Sequence, residues 1–141
     1  MNWSGPALSA LSTIGVTLLG AFLLALGATA LARPRLAERF LGGFATSAGT
    51  HALELLARIL AGAALVHAAP AMAGATVVRA FGWILIGTSL VLAVIPWRVH
   101  RRFAAWSVPQ ATQYLPLIAL ASIAGGLALL AALWLPGVAA R

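Results

Sequence analysis

The feature that most constrains this chain is an uncharged stretch from Leu8 to Ala32, which contains no Asp, Glu, Lys or Arg. As an α-helix it would be about 37 Å long, which exceeds the hydrocarbon thickness of a bilayer. Its alanine-rich end resembles a signal-peptide cleavage site, but no positive charge precedes it and the apolar run is too long. The stretch therefore predicts a retained membrane-spanning helix with some tilt.

The composition extends this prediction to the whole chain. Hydrophobic residues make up 62% and charged residues 8%, with a mean hydropathy of +1.02. A soluble domain usually has about 25% charged residues, so this chain could not cover its apolar surface in water. The absence of cysteine excludes disulfides, thiolate metal sites and cysteine nucleophiles.

The apolar runs predict an all-α integral membrane four-helix bundle, formed by a single domain over residues 1–141. In the connector after the first run, Leu36 and Phe40 oppose Arg35 and Glu38, which predicts a short helix lying in the membrane interface. The predicted spans are residues 8–32, 46–69, 80–97 and 115–135.

The arginines predict how the bundle is oriented. Two connectors hold three arginines each, whereas the opposite side has only Arg79 and Arg141. The positive-inside rule then puts both connectors in the cytoplasm and both chain termini on the opposite side. The lysine-free, alanine-rich composition indicates a bacterial source, so we expect a bacterial inner membrane with the termini in the periplasm. Anionic lipid headgroups explain the net charge of +7 more simply than nucleic acid does. The predicted headgroup-binding residues are Arg33, Arg35, Arg39, Arg98, Arg101 and Arg102.

A polar stripe runs along the second span. Helical spacing between Gly43 and Gly62 puts Ser47, His51, Glu54 and Arg58 on one face, and we call these four residues the polar seam. A charge within the membrane costs about 2.5–3.5 kcal/mol on insertion scales. Glu54 and Arg58 limit that cost, since Glu four residues before Arg is the favourable order. The pair either fixes helix packing or belongs to a functional path for protons, ions or a partner.

The three histidines allow several interpretations. His51 faces the cytoplasmic interface in the favoured one, and otherwise hydrogen-bonds Glu54 or ligates a metal or haem. His67 is predicted to be interfacial, and His100 to contact headgroups beside its neighbouring arginines. A bis-histidine haem needs two histidines at matched depth. His51 and His100 share the cytoplasmic side, so haem stays open as an alternative, although no cofactor or metal is expected.

Small residues form a second pattern. Glycine, alanine or serine at spacings of four lets helix backbones approach closely, either within one bundle or against another protein's transmembrane helix. The predicted helix-packing residues are Gly43, Gly62, Gly82, Gly87, Ser122, Gly125 and Gly126.

The chain contains no Walker A, HExxH, GxSxG or strand-associated GxGxxG motif, and its connectors are too short for a catalytic domain. Two segments, ARPRLAERFLGGFATSAGTHALELLARILAG and GWILIGTSLVLAVIPWRVHRRFAAWSVP, resemble a group of small bacterial four-helix inner-membrane proteins. That resemblance implies the fold and the membrane, and it brings no assigned activity.

We therefore expect a non-enzymatic accessory or assembly subunit that binds other transmembrane proteins or itself. The alternative is a small transporter or proton-coupled carrier that uses Glu54, Arg58 and His51. A third hypothesis is a haem-binding membrane anchor.

Overall fold

The computed structural model describes residues 5–43 and 46–135, so Arg141 lies outside the described residues. Within these ranges the chain forms six α-helices, and a short 3₁₀ turn (Ala69–Ala71) extends the third. The helices are α1 (Pro6–Ala32), α2 (Pro34–Gly43), α3 (Ala48–Ala68), α4 (Ala75–Val94), α5 (Trp97–Thr112) and α6 (Leu115–Trp134).

Four of the helices are long and apolar enough to cross a membrane: α1, α3 with its 3₁₀ extension, α4 and α6. Their mean hydropathies lie between 1.6 and 2.2. The prediction of an all-α bundle is confirmed, and it contains four helices that are long and apolar enough to span a membrane.

The third span lies earlier in the chain than the predicted range of residues 80–97. It begins at Ala75 because Gly74, at φ 69°, adopts the left-handed conformation that turns the chain into α4. It ends at Val94 because Pro96 disfavours helical geometry at Ile95, which is extended at ψ 125°.

Both basic connectors fold into helices at one end of the bundle. The first forms α2, as the amphipathic pattern predicts, and the second forms α5, none of whose residues is fully buried. The two helices contact each other where α1 and α4 end and α3 begins. We refer to this region as the basic end of the bundle.

The spans pack as antiparallel neighbours in the order α6, α1, α3, α4. The main apolar cluster contains Val16, Leu65, Ala68 and Met72, and a smaller one at the basic end contains Ala30, Ala37, Leu115 and Ala119. The buried share of each span is small, from 28% in α3 to 11% in α6. Most of the helical surface therefore faces outwards, towards lipid or a partner.

Close helix contacts depend on particular glycines. A methyl group at Gly62 would lie 2.7 Å from the carbonyl oxygen of Gly82, and one at Gly126 would lie 2.8 Å from that of Gly20. A methyl group at Gly27 would likewise meet the backbone of Ala119 at 2.7 Å. Backbones therefore touch between α3 and α4 and between α1 and α6.

The predicted helix-packing residues fall into two groups. Gly62, Gly82 and Gly126 lie at helix contacts, and Ser122 is half-buried. At Gly43, Gly87 and Gly125, a methyl group would have no neighbour within 4 Å among the described residues. These three glycines are not needed for helix packing in the described part of the chain.

Candidate functional site

The start of α3 is fixed by Ser47, which caps the helix. Its hydroxyl accepts a hydrogen bond from the Thr50 backbone N–H at 3.1 Å, while the Thr50 hydroxyl accepts one from the Ser47 N–H at 3.1 Å. This reciprocal pair is a capping box with threonine in place of the usual Glu or Gln. Ser47 is exposed, so this member of the polar seam stabilises the start of α3 and places His51 one turn inside it.

Arg58 links Glu54 on its own helix to the neighbouring span. Its Nη1 atom lies 3.5 Å from Glu54 Oε1, and its Nη2 atom donates to Thr88 Oγ1 on α4 at 3.0 Å. The Thr88 hydroxyl donates in turn to the Ile84 carbonyl oxygen at 2.7 Å. The bond to Thr88 is the shorter of the two, so Arg58 is anchored on α4 and balances the charge of Glu54 from there.

His100 reaches the polar seam from α5. Its Nε2 atom lies 3.9 Å from Glu54 Oε2, and its ring centroid lies 4.6 Å from that of His51, with the planes tilted by 35°. The side chain is only 15% exposed, which differs from the prediction of a headgroup anchor. On a helix, His100 points away from Arg98 and Arg102, each two residues distant, so it faces the bundle while they face outwards.

His51 is the most deeply buried member of the seam, at 7% exposed. Neither of its ring nitrogens has a hydrogen-bond partner among the described residues. The favoured interpretation, in which His51 faces the interface, does not describe this position, because α5 folds back over it. Leaving a buried polar group without a hydrogen bond costs about 1–3 kcal/mol, so we expect the His51 ring to have a partner that is not among these residues.

His67, on the same helix, has the hydrogen-bond partner that His51 lacks. Its Nδ1 atom lies 3.1 Å from Ser12 Oγ on α1, at the end of the bundle opposite the basic end. Because Ser12 donates its own hydroxyl hydrogen to the Ser9 carbonyl oxygen, we assign His67 Nδ1 as the donor in this bond. His67 thus joins two spans instead of lying free at the interface.

Three groups with metal-ligand chemistry therefore meet at the basic end. Ligand atoms of His51, Glu54 and His100 all lie within 4.8 Å of one another. The sequence placed His51 and Glu54 on one face and paired His100 with His51 only in the haem alternative, and it assigned no role to Thr88, which holds Arg58 beside this cluster. His100 and Thr88 come from other helices than His51 and Glu54. The sequence indicated only that His100 lies on the same side of the membrane as His51.

The headgroup-binding prediction concerns six arginines, and all six lie at the basic end of the bundle, in or directly before α2 and α5. Arg33, Arg35 and Arg39 line an open cavity of about 430 Å³ beside α2. On α5, the guanidinium carbons of Arg98 and Arg101 lie 6.0 and 5.9 Å from the centre of the Trp97 ring, within cation–π range. These residues and Arg102 are exposed at the bundle end, where headgroup contact stays a prediction.

The geometry bears on the haem hypothesis. Two axial histidines must hold a whole macrocycle between their rings. The rings of His51 and His100 are instead in contact with each other, which leaves no space for a haem between them.

Comparison with protein-family models, curated proteins and solved structures finds no match to this chain. The resemblance to small bacterial four-helix inner-membrane proteins accordingly stays a prediction.

Proposed function

We propose that this chain is a non-enzymatic interaction subunit of a membrane protein complex in a bacterial inner membrane. The described connectors form the short helices α2 and α5 and hold no separate soluble domain. The arginines on these helices favour a cytoplasmic position for the basic end, which would leave both termini in the periplasm. In that arrangement the outward faces of the spans are the main surface on which a partner could bind.

The observation that supports this proposal most directly is the outward face of α6. Its exposed residues include five small ones spaced so that they share one side of the helix, opposite the buried Ala119 and Gly126. A methyl group at Gly125 would meet nothing within 4 Å among the described residues. We call this surface the small-residue face: Ala121, Ala124, Gly125, Ala128 and Ala131.

Much of the outward surface of α1 and α4 is formed by larger side chains, although α1 also presents exposed alanines near the basic end. The exposed side of α1 presents Leu11, Ile14 and Leu18, and that of α4 presents Phe81 and Val91. Bulky side chains suit contact with lipid tails, whereas small residues let two helix backbones approach and gain van der Waals contact. The small-residue face therefore fits a membrane-spanning helix of a partner protein.

We expect Gly125→Leu to lower the amount of bound partner by at least about tenfold, because the leucine side chain holds two helices apart at an interface where backbones touch. The measurement is the amount of partner that is purified together with this chain from native membranes in mild detergent. Gly87→Leu is the matched control, since Gly87 also lies on an exposed helix face with open space around it.

Loss of the complex in Gly87→Leu but not in Gly125→Leu would move the interface to α4 and contradict the proposal. A complex of two copies of this chain would retain the small-residue face as the interface but replace an accessory role with self-association.

A carrier that uses the polar seam is the second candidate. It is favoured by two charged side chains within a span and by the Arg58 Nε atom, which is buried without a hydrogen-bond partner among the described residues. Intramembrane ionisable groups commonly mark ion or proton pathways. If this hypothesis holds, the Glu54→Gln/Arg58→Gln variant loses transport while the complex with a partner remains.

A further inference from the structure

We propose that His51, Glu54 and His100 bind one divalent transition-metal ion at the basic end of the bundle. Their ligand atoms all lie within 4.8 Å of one another. His51 is buried, and the other two side chains are 15% and 21% exposed. This inference rests on the cluster itself and does not depend on the proposed interaction role.

The distances are close to those of a bound ion. Metal–nitrogen bonds of about 2.0–2.1 Å put the ligand atoms of a tetrahedral zinc site about 3.4 Å apart. His100 Nε2 and Glu54 Oε2 are already 3.9 Å apart. Glu54 follows His51 by three residues on α3, so both side chains project from the same side of one helix. Because the ligand atoms already lie within 4.8 Å of one another, we expect rotation of the side chains to bring them together around an ion.

The buried imidazole of His51 provides an independent indication of a ligand. Both of its nitrogens lack a hydrogen-bond partner among the described residues, whereas His67 on the same helix is bonded to Ser12. A neutral imidazole has one lone pair available for a metal. An ion bound to one nitrogen of His51 would satisfy that atom without any change in the fold.

The surroundings of Glu54 suit a ligand carboxylate. One oxygen faces Arg58 at 3.5 Å and the other faces His100 at 3.9 Å. Arg58 is held by Thr88, so it can orient the carboxylate in the way that outer hydrogen-bond partners orient metal ligands. The positive charge of Arg58 also offsets the negative charge of Glu54. The two imidazoles are therefore the main source of affinity for the metal ion.

This donor set selects among metals. Two imidazoles and one carboxylate are the ligands of zinc sites that keep a fourth position for water, and they also suit Co²⁺, Ni²⁺ and Fe²⁺. Mg²⁺ and Ca²⁺ require mostly oxygen ligands, and this cluster offers a single carboxylate. We therefore expect Zn²⁺ and Co²⁺ to bind and Mg²⁺ and Ca²⁺ not to compete.

The test uses the full chain, purified in mild detergent through a tag that contains no histidine and stripped of metal with a chelator. We expect the wild type to take up one Zn²⁺ per chain after dialysis, and to give the visible absorption of low-symmetry Co²⁺ on titration. His51→Ala and His100→Ala should each weaken Zn²⁺ binding by at least about tenfold. His67→Ala is the matched control and should bind as the wild type does.

The proposal would be overturned by a wild-type chain that takes up no stoichiometric Zn²⁺, or by a loss of binding in His67→Ala equal to that in His51→Ala. Circular dichroism and the elution volume show whether each variant keeps its fold. The wild-type measurement decides the question even if a variant does not fold. Saturable binding that Mg²⁺ abolishes at equal concentration would also contradict the assigned ligands.

Discussion

Replacing Gly62 with valine is expected to destabilise the bundle by about 3 kcal/mol, the upper part of the range for overpacking. A methyl group at this position would lie 2.7 Å from the carbonyl oxygen of Gly82 and 3.3 Å from the backbone nitrogen of Ile86. Backbone atoms of a packed helix cannot rotate away as a side chain can. The valine must therefore push α4 away from α3, which also disturbs the bond between Arg58 and Thr88.

The measurement is unfolding of the full chain in detergent micelles, followed by circular dichroism. Gly87→Val is the matched control, because Gly87 lies on the exposed side of α4 with open space around it. Its effect should stay within about 0.5 kcal/mol, as for most surface substitutions. Equal losses of stability in Gly62→Val and Gly87→Val would show that α3 and α4 do not approach each other through Gly62.

Replacing Arg58 with leucine is expected to cost about 2–3 kcal/mol, because it leaves the carboxylate of Glu54 without its counter-charge inside a span. The loss should be smaller than the 3–5 kcal/mol or so typical of a fully buried pair, since the side chains of Arg58 and Glu54 are 33% and 21% exposed. Unfolding without added metal measures the effect. Arg79→Leu, at an exposed position near the start of α4, should change stability little.

The second half of this test is the Arg58→Leu/Glu54→Leu double variant. Removing the carboxylate as well removes the unpaired charge, so the double variant should be more stable than Arg58→Leu alone. If the two single effects simply add, Arg58 and Glu54 are not energetically coupled and the neutralised-pair interpretation is wrong.

Much of this fold was predictable because its signals are local. Uncharged runs defined four spans, and a helical spacing of four put Glu54 beside Arg58. The two boundaries of the third span depended on single residues: Gly74 starts α4 earlier and Pro96 ends it earlier than the apolar pattern predicts. Sequence periodicity alone does not show where a turn begins, because apolar residues continue through it.

The candidate site was less predictable because it is assembled across helices. His100 follows an arginine and precedes two more, so its neighbours in sequence predict a headgroup anchor, whereas its neighbours in space are His51 and Glu54. Thr88 meets Arg58 only through the register that Gly62 and Gly82 set between α3 and α4. The sequence marks small residues without showing which ones face another helix of the same chain.

The central claim, that the small-residue face of α6 binds a partner helix, is tested most directly by photo-crosslinking in native membranes. A photoreactive amino acid would replace Leu117, which is 66% exposed beside this face, and in a second chain Val91 of α4, which is 63% exposed. We predict a defined protein adduct from position 117 and lipid adducts alone from position 91. Lipid adducts alone from both positions would contradict the claim.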